Sequence, residues 1–334
     1  MPNSAAPLVR VERGGVEEGI HLGHVAVVDA DGQVHASLGD PQHVTYFRSC
    51  AKPFQAIASL GTRIAVRHGL GAEHVAIITA SHNGEPRHVE LVRDLLRRTA
   101  VDESALQCGA HWPYYEPAAT VARHQMDEPL AVFNNCSGKH AGMLAAARAL
   151  DAPLETYLEP THPVQQRIRG VIEAFTGCPA PNIHYGIDGC SAPNAAVPLA
   201  ALARSFASLV TSSDEIPRTV VAAMTQHPFL IGGTDRFDTR LMEVTGGRLL
   251  AKGGAAGAHC TADRRSTQGL AVKLDSGDGT WTAVAVMAAL ERLGWLDESE
   301  REALRNFARP TLRNHRHLAV GTVRPVFRDL VTAV

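Results

Sequence analysis

The chain has 334 residues, 45% of them hydrophobic and 20% charged, which is the composition of a soluble globular protein and excludes a disordered one. A formal net charge of -2 and an isoelectric point near 6.8 leave no surplus of lysine and arginine for a nucleic-acid backbone or an anionic membrane. The amino-terminal stretch is broken by Pro2, Pro7, Arg10, Glu12 and Arg13, so it lacks the roughly 7–15-residue apolar core of a secretory signal. No later run offers the roughly 18–20 uncharged apolar residues that cross a bilayer. A cytoplasmic protein without a nucleic-acid or membrane partner is therefore expected. The cysteines, Cys50, Cys108, Cys136, Cys178, Cys190 and Cys260, are too sparse and irregular for a disulfide framework. Reduced thiols are expected. Histidine is abundant, but no common zinc-finger or metalloprotease spacing is present.

In chain order, the first element is a hairpin, since Val25, Val27 and Val28 precede an Asp29-Ala30-Asp31-Gly32 turn and Val34, Ala36 and Leu38 alternate after it. An extended run from His43 to Arg48 then leads into a helix. Proline is tolerated only in the first helical turn, so Pro53 sets the start of that helix near Ser49. Helical spacing follows over Pro86–Thr99, Gly142–Leu150, Val164–Phe175 and Ala195–Leu209. Strands are expected again over Arg240–Val244, Arg248–Lys252 and Gly269–Leu274, then helices over Thr280–Leu293 and Ser299–Phe307, and a last strand over His317–Phe327.

Strands at both ends with helices between them predict an α+β fold in one interleaved domain covering residues 1–334. Its antiparallel sheet would come from residues of about 1–75 and 236–334, with a helical lobe over about 76–235.

Three clusters can carry chemistry. Ser49-x-x-Lys52 places a hydroxyl and an amine on one face of a helix start, where a deprotonated lysine can take the serine proton. A helix-capping serine followed by a solvated lysine is the competing reading. In serine β-lactamases and serine glutaminases such a motif is followed much later by a lysine–glycine strand lining the site, and Lys252-Gly253-Gly254 stands in that place. Those glycines would admit a substrate to the strand backbone, or they mark an ordinary loop. Ser81, in Thr79-Ala80-Ser81-His82-Asn83-Gly84-Glu85, follows the apolar run Val75–Ile78 and stands either at a cleft or as a cap for the helix near Pro86. Cys136, Lys139 and His140 have the spacing of one helical face. With Cys190 close in space, two thiolates and a neutral amine can hold zinc and leave one position for water; two buried free cysteines are the alternative.

Taken together, Arg48-Ser49-Cys50-Ala51-Lys52-Pro53, Ala80-Ser81-His82, Asn135-Cys136-Ser137-Gly138-Lys139-His140 and Asp188-Gly189-Cys190-Ser191-Ala192-Pro193 resemble the L-asparaginase II family of the serine–lysine type, also called class 3 asparaginases. The resemblance runs in order from Arg13-Gly14-Gly15 to the Gly321 region. It implies a serine β-lactamase-like fold and hydrolysis of L-asparagine to L-aspartate and ammonia. It also implies that Ser49 is the nucleophile with Lys52 as its base, and that Ser81 and Lys252 form a second serine–lysine pair. By the same resemblance Arg48, His140 and Asp188 hold the substrate's carboxylate and ammonium groups, while Cys136, Lys139 and Cys190 bind one zinc ion that is not the hydrolytic centre. A homodimer is implied as well. The competing functions are a glutaminase or related small-amide hydrolase, a β-lactam-binding hydrolase, and a non-catalytic amino-acid or zinc-binding protein of the same fold.

Overall fold

Strands from both ends of the chain build one nine-stranded sheet in this computed structural model, which describes residues 4–332. Pro2 of the amino-terminal stretch lies outside the described residues. Along the main path the strands run Thr311–Arg313, Ala319–Pro325, Ala6–Arg13, Val16–Val28, Gln268–Leu274, Ala258–Asp263 and Leu249–Gly253. Val16–Val28 is the pivot: its first part pairs antiparallel with Ala6–Arg13, and Gly23–Val28 pairs antiparallel with Gln268–Leu274. Val25–Val28 also pairs antiparallel with Val34–Leu38 across the expected Asp29–Gly32 turn. Both chain ends thus share one antiparallel sheet, as the sequence predicts.

The residues fall into two compact units. The first comprises the residues up to Cys50, Val197–Thr211 and those from Arg240 onward; the second comprises Ala51–Ala196 and Ser212–Thr239. In the first unit, helices Leu199–Thr211 and Thr282–Arg292 pack against the sheet. The second unit is helical around Lys52–Leu60, whose nine residues are all buried, so this short helix is wrapped on every side. Helices Ala72–Thr79, Ser137–Ala149, Pro163–Thr176 and Glu215–Gln226 surround it. Each fully buried Leu, Ile or Phe in such a core contributes about 1.5–3 kcal/mol. Pro53 sits in the first turn of its helix, as its missing N–H requires.

Two elements differ from the sequence reading. Arg240–Val244 belongs to a helix, Phe237–Val244, in which the adjacent Leu241 and Met242 are both fully buried. Ala195–Pro198 is the end of a strand, and the helix expected there starts only at Leu199, after the proline.

Candidate active site

In the first unit, the chain enters the site region through a 3-10 turn, Arg48–Ala51. Arg48 has φ +50, a left-handed backbone that a non-glycine residue adopts at a cost, immediately before Ser49. The buried Cys50 thiol donates to the Lys252 carbonyl at 3.1 Å, fixing this turn to the strand Leu249–Gly253. Gly254 makes that approach possible: a Cβ there would lie 3.0 Å from the Phe47 carbonyl oxygen and 3.2 Å from the Cys50 sulfur. The glycine therefore admits the protein's own Phe47–Cys50 segment to the strand end. Lys252 is fully buried, and its amine donates to the Gly253 carbonyl at 2.8 Å.

In the second unit, Lys52 opens the central helix and is 1% exposed, so it is no solvated lysine. Its amine lies 2.9 Å from the Ser81 hydroxyl, 2.6 Å from the Ala80 carbonyl and 3.0 Å from the Asn135 carbonyl. The two carbonyls can only accept, so they orient the amine beside the serine. Ser81 caps no helix, since Pro86–Arg98 takes Glu85 as its N-cap. Its segment is held by backbone bonds from Ser81 N–H to Ile231 O and from Asn83 N–H to Gly232 O. His82 and His88 stack on each other beneath it at 5.1 Å between centroids. Burial holds both imidazoles below the ordinary histidine range, so they are neutral struts and not proton carriers.

Helix Ser137–Ala149 brings in the third cluster. Its close seat depends on Gly138, where a Cβ would meet the Ile77 carbonyl oxygen at 2.1 Å. Cys136 is its N-cap and Lys139 and His140 lie in its first turn, all buried. The strands His184–Ile187 and Pro193–Pro198 pair as a hairpin, and their turn carries Asp188 and Cys190, with Ser191 at φ +68. The Lys139 amine donates to the Cys190 sulfur at 2.8 Å. A hydrogen bond from Cys190 holds the Cys136 thiol far below the usual thiol range against burial, with the Lys139 ammonium assisting. Burial pulls the Lys139 ammonium down, but the Cys136 and Cys190 sulfurs and Asp188 overrule it and raise its pKa. The pair of cysteines thus shares one proton beside a charged lysine. Two sulfurs and an amine are a donor set that zinc accepts, on condition that Lys139 and Cys190 give up their protons to it.

His140 is fully buried and neutral, pushed far below the usual histidine range by burial and then by the Lys139 charge. Its Nδ1 lies 2.6 Å from the Tyr157 hydroxyl, whereas its buried Nε2 has no hydrogen-bond partner among the described residues. Asp188 Oδ1 accepts from the Gly189 amide at 2.9 Å. The structure therefore brings Lys52 to Ser81 and Lys139 to Cys190 within the second unit, and sets Lys252 beside the Arg48–Cys50 turn within the first. Sequence reasoning missed Tyr157, which has no motif around it, and missed the Ala80 and Asn135 carbonyls, whose role no side-chain pattern reveals.

His24, His43 and Asp275 of the first unit also lie together, their ligand atoms within 4.8 Å of one another. His24 Nδ1 accepts the Asp40 N–H at 2.8 Å, so its other nitrogen carries the hydrogen that faces Asp275 at 3.1 Å. Both nitrogens are spent on holding the turn, and none is left as a metal ligand.

The second unit thus holds a buried serine–lysine contact, Lys52 to Ser81, and a lysine–cysteine contact, Lys139 to Cys190. The L-asparaginase II family description matches residues 9–325, and the chain belongs to that family, one of amidohydrolases. No curated protein matches the chain. Among solved structures, a β-lactamase from Mycobacterium bovis is 15% identical, with 86% of this chain and 95% of that one covered and a TM-score of 0.43. Mglu in its native form, in the presence of 4.3 M NaCl, is 16% identical over 82% of this chain and 61% of that one, with a TM-score of 0.43. A putative β-lactamase from Bacteroides dorei is 15% identical over 75% and 84%, with a TM-score of 0.41. No helix of the described residues is long and apolar enough to cross a membrane.

Proposed function

We propose that the protein hydrolyses the side-chain amide of L-asparagine by serine–lysine chemistry. The observation that carries this reading is Lys52, buried and 2.9 Å from the Ser81 hydroxyl. A lysine amine that has released its proton is the form that can take one from a serine. Ser49, three residues upstream in the turn that runs into the Lys52 helix, is the assigned nucleophile. Its oxygen attacks the amide carbon as its proton passes to Lys52. That proton returns through the Ser81 hydroxyl to the departing nitrogen, which leaves as ammonia. Water then attacks the aspartyl ester, its proton following the reverse path to Ser49.

A free amino acid needs a cationic and an anionic anchor, and Arg48 and Asp188 supply the two charges, with His140 as a further contact. Zinc, when held by Cys136, Lys139 and Cys190, supplies a fixed positive charge for substrate binding. Lys252 is assigned to the serine–lysine set on its place in the chain, and a homodimer is expected from family membership. Glutamine differs by one methylene, a difference commonly worth about 1–3 kcal/mol, so weak glutaminase activity is expected.

The test is ammonia release from L-asparagine and L-glutamine by the wild type, Ser49→Ala and Ser81→Ala. Release from asparagine that Ser49→Ala abolishes, with an aspartyl adduct of the wild type trapped by acid quench on the peptide holding Ser49, fits the assignment. An adduct on Ser81 moves the nucleophile; no release by the folded wild type ends the hydrolase reading. For zinc, metal analysis of protein purified without chelator should give about one ion per chain, and a ratio near zero sinks that site.

A further inference from the structure

The Tyr157 hydroxyl is fully buried and takes part in two hydrogen bonds. It accepts the Gln107 backbone N–H at 3.0 Å and lies 2.6 Å from His140 Nδ1, with the two rings edge to face at 89°. The direction of the second bond follows from a count of unpaired groups. If His140 Nδ1 carried the hydrogen, both the Tyr157 O–H and the His140 Nε2 lone pair would be buried without partners. If the tyrosine donates instead, only the Nε2–H is left over. The second arrangement strands one group where the first strands two, so the histidine is protonated on Nε2. That N–H is fully buried, and nothing among the described residues accepts it.

A buried N–H with no acceptor among the described residues calls for an oxygen acceptor from a ligand, and a carboxylate is the strongest that an amino acid offers. We propose that Tyr157 is a positioning residue: anchored by the Gln107 amide, its hydroxyl locks His140 as the Nε2–H tautomer, which then donates to a carboxylate oxygen of the bound amino acid. For its ligand this rests on the asparaginase reading; for the tautomer it does not. A tautomer fixed by the hydrogen bond at the other ring nitrogen is a known way to set what a histidine presents.

The experiment is long-range ¹H–¹⁵N correlation on histidine-labelled full-length protein, with and without L-aspartate as the carboxylate probe. The wild type should show His140 as the Nε2–H tautomer, with that proton moving downfield when L-aspartate binds. Tyr157→Phe, which keeps the ring, should give a tautomer mixture and raise KM for asparagine roughly tenfold while kcat changes less. A wild-type Nδ1–H tautomer overturns the proposal even if the variant fails to fold. So does an unchanged tautomer in folded Tyr157→Phe, or an Nε2–H signal unmoved by saturating L-aspartate. Absence of ammonia release with the expected tautomer and the expected L-aspartate shift would remove the enzyme and leave this inference standing.

Discussion

His82 and His140 lie in the same unit, both without solvent exposure and both held neutral by burial, yet their surroundings differ at one atom. His82 Nδ1 accepts the Gly84 N–H at 3.1 Å, and its Nε2–H donates to the Ser137 hydroxyl at 3.0 Å, which in turn donates to Val132 O. Every polar atom of that ring is spent on the fold. His140 is tied at Nδ1 alone, and its Nε2–H is left over. Burial and a depressed pKa therefore do not mark function here. The unsatisfied hydrogen does, because a fold under selection for stability alone would not leave it.

The largest effect expected is one that removes both rings from their places. Gly138→Ala puts a carbon into the Ile77 carbonyl and displaces the helix that carries Ser137 and His140. It should cost about 3 kcal/mol, the upper end for overpacking, and abolish activity; an unfolding midpoint within error of wild type would contradict the close seat described above. Next comes the contrast itself. His140→Phe should lower kcat/KM about 10–100-fold in the folded protein, as expected for losing a hydrogen bond to a charged group. His82→Phe should instead lower stability by about 1–3 kcal/mol through the orphaned Gly84 N–H, with a smaller effect on turnover per folded molecule. The reverse order in paired denaturation and kinetic assays would break the comparison.

The smallest effect concerns pH. His24, His82, His88 and His140 all have folded pKa values below the ordinary 6.5, so the unfolded chain takes up protons there that the folded one refuses. The stability tied to their neutral forms is full above about pH 6.5 and is lost as pH falls below it. The unfolding midpoint should drop between neutral and mildly acidic pH, and His82→Phe should flatten part of that drop. A midpoint that rises on acidification would show that other groups dominate.

The sequence by itself determined much of this protein. Val25 and Val27 before the Asp29–Gly32 turn and Val34, Ala36 and Leu38 after it made the first hairpin legible, because alternate side chains of a strand share one face. Pro53 put a helix start near Ser49, where a 3-10 turn, Arg48–Ala51, leads into the α-helix that begins at Lys52, since its ring fits only a first turn. The order of the four motifs pointed to the family, and residues 9–325 match it. Arg240–Val244 misled because a stretch of five residues with only Leu241, Met242 and Val244 apolar is too short for its periodicity to distinguish strand from helix.

What only tertiary structure decided was which groups meet. Lys52 and Ser81 come together over 29 residues, and Lys139 and Cys190 over 51, across helices whose packing no local pattern encodes. Tyr157 carries no signal at all in the sequence; it matters because folding sets its hydroxyl between the Gln107 amide and one nitrogen of His140. Spacing along a chain fixes what one helix face presents, whereas a proton's place on a buried ring is settled by every donor and acceptor that folding brings around it.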